Sequence, residues 1–257
     1  MSGNPRLAVD IGGTFTDCVL EHGGRRLSRK VLTTPAAPEE GVLAAIDAIL
    51  ADAAVAPADL GIVVHGTTLA TNAIIERKGA KTALIVTQGF RDSIEIAYEN
   101  RFEQYDIFME KPPPLVPRDL RLGVPERIGA RGQVIEPLDD AAVTALAPQL
   151  RAAGVTSIAI GFLHSYANPV HEVMARQVLA AAMPGLSITL SSEVCPEMRE
   201  YERWSTACAN AYVQPLMDGY LARLEDGLRK RGSRAPVFLM TSAGGLTTID
   251  IARRFPV

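Results

Sequence analysis

Asp10 is followed within seven residues by Gly12, Gly13, Thr14, Thr16 and Asp17, and this set of residue types suits the holding of a phosphate. Gly12 and Gly13 permit backbone conformations closed to other residues and leave no side chain in a ligand's way. Backbone N–H groups at such a turn can converge on an anion, and the hydroxyls of Thr14 and Thr16 add donors that an alternating strand aims at the same place. Asp10, at the mouth, offers a carboxylate for hydrated Mg²⁺, which usually takes one or two carboxylates together with substrate phosphates. Asp17 is a weaker second polar candidate. The same stretch also suits a plain β-hairpin whose glycines only make a bend, and residue types alone leave both readings open.

A second constellation is His65-Gly66-Thr67-Thr68 with Asn72. It falls where a short apolar strand, Gly61 to Val64, gives way to a helix through Ala70, Asn72, Ile75 and Glu76. Hydroxyls and free N–H groups at a helix N-terminus favour an anionic or carbonyl-bearing ligand. The alternative is a helix cap made by Thr67 or Thr68 beside a structural histidine. His164 and His171 lie seven residues apart, but no third ligand completes a zinc set, so structural roles are expected of both.

The elements that must position these residues follow from periodicity. Arg6 to Leu20 reads as strand, tight turn, strand, and Arg26 to Leu32 returns as a third strand of an antiparallel meander. Pro38, Glu39 and Glu40 open a helix whose Val42, Leu43, Ile46, Ile49 and Leu50 recur at helical spacing. Lys81 to Thr87 is a strand and Phe90 to Tyr98 a short helix. Asn100 to Arg121 carries Pro112, Pro113, Pro114 and Pro117, which exclude a regular element; its length suits a lid as well as a loop pinned to the body by Tyr105 and Phe108. Val124 to Ile128 and Gln133 to Glu136 read as a hairpin, and Asp139 or Asp140 caps a helix that Gly154 ends. The unbroken apolar run Val155 to Leu163 suits a central strand covered on both faces, with a loop to Pro169 and a new helix after it. Leu186 to Ser191 is a further strand. Glu193 to Gly232 is helical, with a kink or split expected at Pro215, and its charges at Glu197, Arg199, Glu200, Glu202 and Arg203 read as a solvated face. A last strand, Pro236 to Thr241, leads to the glycine turn Ser242 to Gly245.

Composition narrows the class. The chain has 257 residues, 47% of them apolar, and a formal net charge of -3, which suits a globular protein of one large or two ordinary domains. No dense Lys/Arg run suggests nucleic acid or an anionic membrane as partner. The widely spaced Cys18, Cys195 and Cys208 make neither a disulfide framework nor a Cys-x-x-Cys site, and fit a reducing cytoplasm. No apolar stretch is long enough to span a bilayer, and no targeting segment is recognisable.

Asp-Ile-Gly-Gly-Thr-Phe-Thr-Asp, Asp10 to Asp17, resembles the first phosphate-binding loop of the sugar-kinase, heat-shock-70 and actin superfamily; it is not a Walker A loop, since the closing Gly-Lys-Ser/Thr is missing. Four further blocks, His65 to Phe90, Leu163 to Glu172, Ser191 to Arg203 and Asn210 to Leu216, are similar to the hydantoinase A/5-oxoprolinase family. The resemblance covers essentially the whole chain. One departure is Ala243, where the family often has Asn, which leaves any polar contact of that side chain in doubt.

The fold implied by the resemblance is α/β, a ribonuclease-H-like (actin-like ATPase) mixed sheet flanked by helices, in truncated form. A hydantoinase/oxoprolinase N-terminal domain would span 5–186, and the beginning of the central hydantoinase A domain 187–257. The implied activity is ATP-dependent opening of a lactam or cyclic imide such as 5-oxoproline or a hydantoin, with ATP and Mg²⁺ as cofactors and a hydantoinase B-type partner subunit or domain. On the same footing Asp10, Thr14, His65 and Thr67 are the expected catalytic residues. Gly12, Gly13, Thr14, Thr16, Asp17, Thr68 and Asn72 are the expected cofactor-binding ones, and Asp10 is the metal ligand. A related ATP-dependent ketone carboxylase subunit and a non-catalytic nucleotide-binding fragment share every motif named. Relatives extend beyond Val257 to a second phosphate loop, and no second Asp-x-Gly-Gly occurs here. The expectation is therefore an N-terminal piece, inactive alone.

Overall fold

The computed structural model describes residues 4–98 and 103–257, so the start of the proline-rich loop, Asn100 to Phe102, lies outside the described residues. The chain opens with β1 (Arg6–Ile11), β2 (Phe15–His22) and β3 (Arg25–Leu32), followed by α1 (Pro38–Ala53). Pro38 and the acids Glu39 and Glu40 occupy the first turn of α1, where a missing N–H costs nothing and negative charge meets the positive end of the helix dipole. β4 (Ile62–Thr67) and α2 (Leu69–Ile75) come next. His65, Gly66 and Thr67 thus belong to the strand, which runs three residues past its expected end at Val64.

The middle of the chain holds β5 (Thr82–Thr87), α3 (Ser93–Ile96), β6 (Arg121–Val124), β7 (Arg127–Ile128), β8 (Val134–Glu136), α4 (Asp140–Ala145), α5 (Ala147–Ala152) and β9 (Ser157–Gly161). The Asp139 carboxylate caps α4 by accepting from the Ala142 N–H at 2.9 Å, as its type predicts. β6 was not expected: Arg121 to Val124 pairs in parallel with β5, and only Arg127 and Ile128 make the hairpin with β8. The chain continues through α6 (Val170–Ala182), β10 (Ser187–Leu190), α7 (Ser191–Val194), α8 (Glu200–Lys230), β11 (Val237–Met240), β12 (Leu246–Thr248) and α9 (Ile249–Arg254). Among the described residues no helix is long and apolar enough to cross a membrane.

These elements form two compact units, one from residues 1–76 with 216–256, the other essentially from residues 77–215. In the first, strands order as β12-β11-β4-β1-β2-β3; β1 to β3 are the expected antiparallel meander, and β4 and β11 run parallel to β1. Side chains alternate strictly along β1. Leu7, Val9 and Ile11 are buried, while Arg6, Ala8 and Asp10 are exposed, as a strand covered on one face requires. The buried face shares a core with Val42, Ile46 and Ile49 of α1 and with Met217, Leu221 and Leu224 of α8.

His65 lies on that buried face, 1% exposed. Its Nδ1 lies 3.2 Å from the Val9 carbonyl and its Nε2 2.7 Å from the Tyr220 hydroxyl. A carbonyl can only accept, so Nδ1 carries the proton, and Nε2 accepts from Tyr220. Burial disfavours the imidazolium and pulls the pKa down to about 4.

In the second unit a four-stranded parallel sheet orders as β10-β9-β5-β6, with β5 and β9 buried along their whole length, as the apolar run of β9 predicts for that strand. The start of α6 pins the carboxyl ends of these strands. His171 Nδ1 donates to Glu126 at 2.7 Å. The buried Glu172 carboxylate accepts from the Phe162 N–H at 3.0 Å, the Ser191 hydroxyl at 2.6 Å and the Ser192 N–H at 2.9 Å. Burial raises the Glu172 pKa, and these bonds oppose the rise. Arg203, expected on a solvated face, is fully buried and donates to the Phe162 carbonyl at 3.0 Å.

α8 stays helical through Pro215, and the break expected there falls instead before Glu200. Proline lacks the N–H that would bond the carbonyl four residues back. That carbonyl, on Ala211, accepts from the Ser157 hydroxyl at 2.6 Å, and the neighbouring Tyr212 carbonyl accepts from the Ala80 N–H at 2.8 Å. The freed acceptor is satisfied from β9, and the segment before β5 binds the next carbonyl, so the helix has no need to bend open.

Two outcomes follow. Ser157→Ala leaves the Ala211 carbonyl buried without a donor and should lower stability in urea unfolding by about 1–3 kcal/mol. For His65 the folded pKa lies below the unfolded value, so the unfolded state takes up the proton first, and stability falls as pH drops from 7 towards 4 and levels off below that. The loss attributable to His65 should reach about 2 kcal/mol by pH 5, and His65→Gln should flatten that part of the pH profile in chemical denaturation.

Candidate functional site

β1 and β2 meet at Gly12-Gly13-Thr14, a turn closed by the Gly12 N–H donating to the Phe15 carbonyl at 2.9 Å. Its back is fastened by a relay of hydroxyls. Thr33 Oγ1 donates to the Gly12 carbonyl at 2.9 Å and therefore accepts from Thr16 Oγ1 at 3.0 Å. The Thr33 N–H adds a bond to the Thr14 carbonyl at 2.9 Å. Gly13 and Thr14 are exposed, and among the described residues nothing in the chain accepts from their N–H groups. Thr16, fully buried, supports the turn from the core side; its hydroxyl does not reach the mouth.

Strand register places three residues in one row on the open face. Asp10 stands opposite Asp17 in β2 and opposite Gly66 in β4. Asp17 is held by Lys30 at 2.8 Å, whereas no cation in the chain pairs with Asp10 among the described residues. The Asp10 carboxylate leans over Gly66: a Cβ built there would come within 2.7 Å of Asp10 Oδ1, so any side chain at position 66 displaces it. The sequence names Gly66 in the second constellation without giving it a role, and Lys30 and Thr33 carry no signal of their own. For Gly66 a signal existed, since glycine inside a strand marks a place where another group approaches closely.

The edge beyond β4 completes the mouth. The Thr68 N–H and hydroxyl both point to the Ile11 carbonyl, at 3.3 and 3.4 Å, and Asn72 Nδ2 donates to Thr68 Oγ1 at 3.3 Å. The same Asn72 nitrogen lies 3.6 Å from where a Gly13 Cβ would be, so the amide covers Gly13. Thr67 Oγ1 accepts from the Leu69 N–H at 3.1 Å, a local cap. The structure thus brings Asp10, Gly12, Gly13, Thr14, Thr68 and Asn72 to one mouth with Thr67 at its edge. Asp17 stands beside Asp10 but is tied to Lys30. His65 is held on the opposite face of the sheet, both ring nitrogens occupied inside the core. Chemically, the mouth offers one free carboxylate, two unpartnered N–H groups, a hydroxyl and an amide, a set suited to a cation bound together with a polyanion.

Comparison with known proteins places the chain in a family. The family region described as Hydantoinase/oxoprolinase N-terminal matches residues 6–183, and the Hydantoinase/oxoprolinase region matches residues 203–257. The chain is 37% identical to the caprolactamase subunit alpha of Pseudomonas jessenii, over 94% of its own length and 36% of that protein's. It is 32% identical to the 5-oxoprolinase of Saccharomyces cerevisiae, over 95% of itself and 22% of the relative. Among solved structures, an ATP-dependent caprolactamase from P. jessenii superposes with a TM-score of 0.83, again at 37% identity and covering 94% of this chain and 36% of that one. A nucleotide-free acetone carboxylase superposes with a TM-score of 0.87 at 27% identity, covering 99% of this chain and 39% of the other. The chain therefore spans well under half the length of these relatives. The mixed α/β architecture is consistent with the expected actin-like fold. Because the N-terminal family region alone takes in most of the chain, the protein belongs to the hydantoinase/oxoprolinase family.

Proposed function

We propose that the mouth around Asp10 is the phosphate-binding part of an ATP-dependent enzyme that phosphorylates the carbonyl oxygen of a lactam or cyclic imide before hydrolytic ring opening. The observation that carries this reading is the unpaired Asp10 carboxylate beside the unpartnered N–H groups of Gly13 and Thr14. An amide carbonyl resists water because its nitrogen donates electron density to it. Transfer of the γ-phosphoryl group from ATP to that oxygen gives ADP and a phosphorylated imidate. Water adds to the carbon, the ring C–N bond breaks as the nitrogen takes up a proton, and a second water releases phosphate from the acyl phosphate so formed, leaving the ring-opened carboxylate. In the phosphoryl step catalysis is chiefly positioning and charge stabilisation.

Asp10 fits Mg²⁺ by the chemistry of its donor set, a single hard carboxylate open to solvent beside a place for phosphate oxygens. When bound, the ion would neutralise phosphate charge. The chain's own part is to aim N–H groups at phosphate oxygens through Gly13 and Thr14, with Thr68 and Asn72 at the flank. In this reading His65 and Thr16 position rather than react, His65 through the Val9 carbonyl and Thr16 through Thr33. The caprolactamase relative is named as a subunit, which supports a partner of hydantoinase B type, and three free cysteines support a cytoplasmic setting.

A second reading has a specific observation behind it, the superposition on acetone carboxylase. The same phosphoryl step on a ketone, or on bicarbonate, would serve a carboxylase. Phosphate release assayed with 5-oxoproline, hydantoin and caprolactam, and with acetone plus bicarbonate, in the presence of the partner subunit, separates the two. Turnover only with a cyclic amide supports the first reading, and turnover only with ketone and bicarbonate overturns it.

Two substitutions test the site itself by calorimetry. Asp10→Asn should weaken Mg-ATP binding by about tenfold or more, the loss of one charge-assisted contact, while leaving metal-free ATP binding little changed. Gly66→Ala should reproduce that selective loss of Mg²⁺ dependence by pushing the Asp10 carboxylate aside, with the circular dichroism spectrum retained. Unaltered Mg-ATP affinity in both variants would remove Asp10 from the metal.

A further inference from the structure

The second unit contains a cavity of about 350 Å³ that the proposed reaction does not use. Ile94, Pro112, Pro114 and Leu115 form its apolar walls, and the rings of Tyr98 and Tyr201 meet edge to face at 5.0 Å beside them. Ser205 and Cys208, one α8 turn apart, line it from the helix. Sites for small organic ligands are typically of this size, mostly apolar with a few convergent polar groups.

The polar groups divide into those already committed and those left over. Glu95 is tied to the buried Arg121 at 2.7 Å, and the Tyr98 hydroxyl donates to Glu202. Burial pushes the Cys208 thiol up to about 12, so it is a neutral wall and not a nucleophile. What remains without a partner in the chain, among the described residues, is the Lys111 ammonium and the hydroxyls of Tyr201 and Ser205. Among the described lining residues the one charge without an ion-pair partner is therefore positive, and the other free groups can donate. Ala97, also in the wall, holds a positive φ of 53° with ψ -129°, a backbone conformation that non-glycine residues rarely adopt and that recurs where backbone is shaped around a ligand.

We propose that this cavity binds a small monocarboxylate with an apolar body: the hydrocarbon part lies among the prolines and tyrosines, and the carboxylate meets Lys111 with Ser205 and Tyr201 as donors. The assignment stands on the cavity alone and does not depend on the lactam reading.

Calorimetry and saturation-transfer NMR on the 257-residue chain, with hexanoate, hexanamide and hexylamine as probes, test it. Hexanoate should bind, hexanamide should bind about tenfold more weakly or worse for want of the charge-assisted contact, and hexylamine should not bind. Lys111→Gln, on an exposed loop position where folding is not at stake, should bring hexanoate down to the level of the amide without altering Mg-ATP binding. Ser205→Trp, which fills the space, should abolish binding of all three probes. Failure of hexanoate to bind the wild-type chain, or an unchanged hexanoate affinity in Lys111→Gln, overturns the assignment.

Discussion

The chemistry of the first unit depends on a single row of residues, Asp17, Asp10 and Gly66, set across three strands by backbone register. Because side chains alternate along a strand, this row and the row containing Cys18, Val9 and His65 must face opposite ways. A slip of one residue in either pairing would bury the carboxylates and expose the apolar row. Burial of Val9, Cys18 and His65 against the core therefore fixes where Asp10 points. His65 adds a second constraint, since the carbonyl it holds belongs to the peptide unit that leads into Asp10. A histidine enclosed in the core thus bears on the position of the exposed Asp10 carboxylate.

The turn beside Asp10 is organised on the same principle, with support behind and donors in front. Thr16, Thr33 and the Thr33 N–H consume the carbonyls of Gly12 and Thr14, so the acceptors of the turn are used internally while the N–H groups of Gly13 and Thr14 are left outward. Such preorganisation matters because donors already aimed at developing or fixed negative charge need no rearrangement when the charge arrives. Asn72 flanks Gly13 from the other side, its Nδ2 within 3.6 Å of where a Gly13 Cβ would stand.

Much of this was legible in the residues. The alternation in β1, the glycine turn, the Pro38 helix start, the Asp139 cap and the unbroken apolar run of β9 are local signals with local causes. What escaped was set by contacts distant in sequence. Arg121 reads as the end of a loop and Val124 as the start of a hairpin because the pairing of Arg121 to Val124 with β5 comes after a long irregular stretch. Arg203 reads as a surface charge because its acceptor, the Phe162 carbonyl, lies 41 residues away. Pro215 reads as a break because nothing near it in sequence announces that Ser157 will take up the freed carbonyl. His65 illustrates the same limit: its type suggests catalysis, and only the register of β4 shows which face it occupies.

Charge across the meander follows from the same register. Asp10 and Asp17 are direct cross-strand neighbours on one face, an arrangement that like charges make unfavourable. Lys30 on β3 sits opposite Asp17 in turn, binds its carboxylate at 2.8 Å, and is steadied over the Phe15 ring at 4.9 Å. That exposed ion pair is worth little to stability on its own. Its larger effect is on its neighbour: with Asp17 neutralised by the third strand, the row carries one uncompensated negative charge, and it resides on Asp10. The meander thereby separates two carboxylates of the same motif into a scaffold member and a free one, and the free one is the carboxylate that lies over the gap at Gly66 and beside the open N–H groups of the turn.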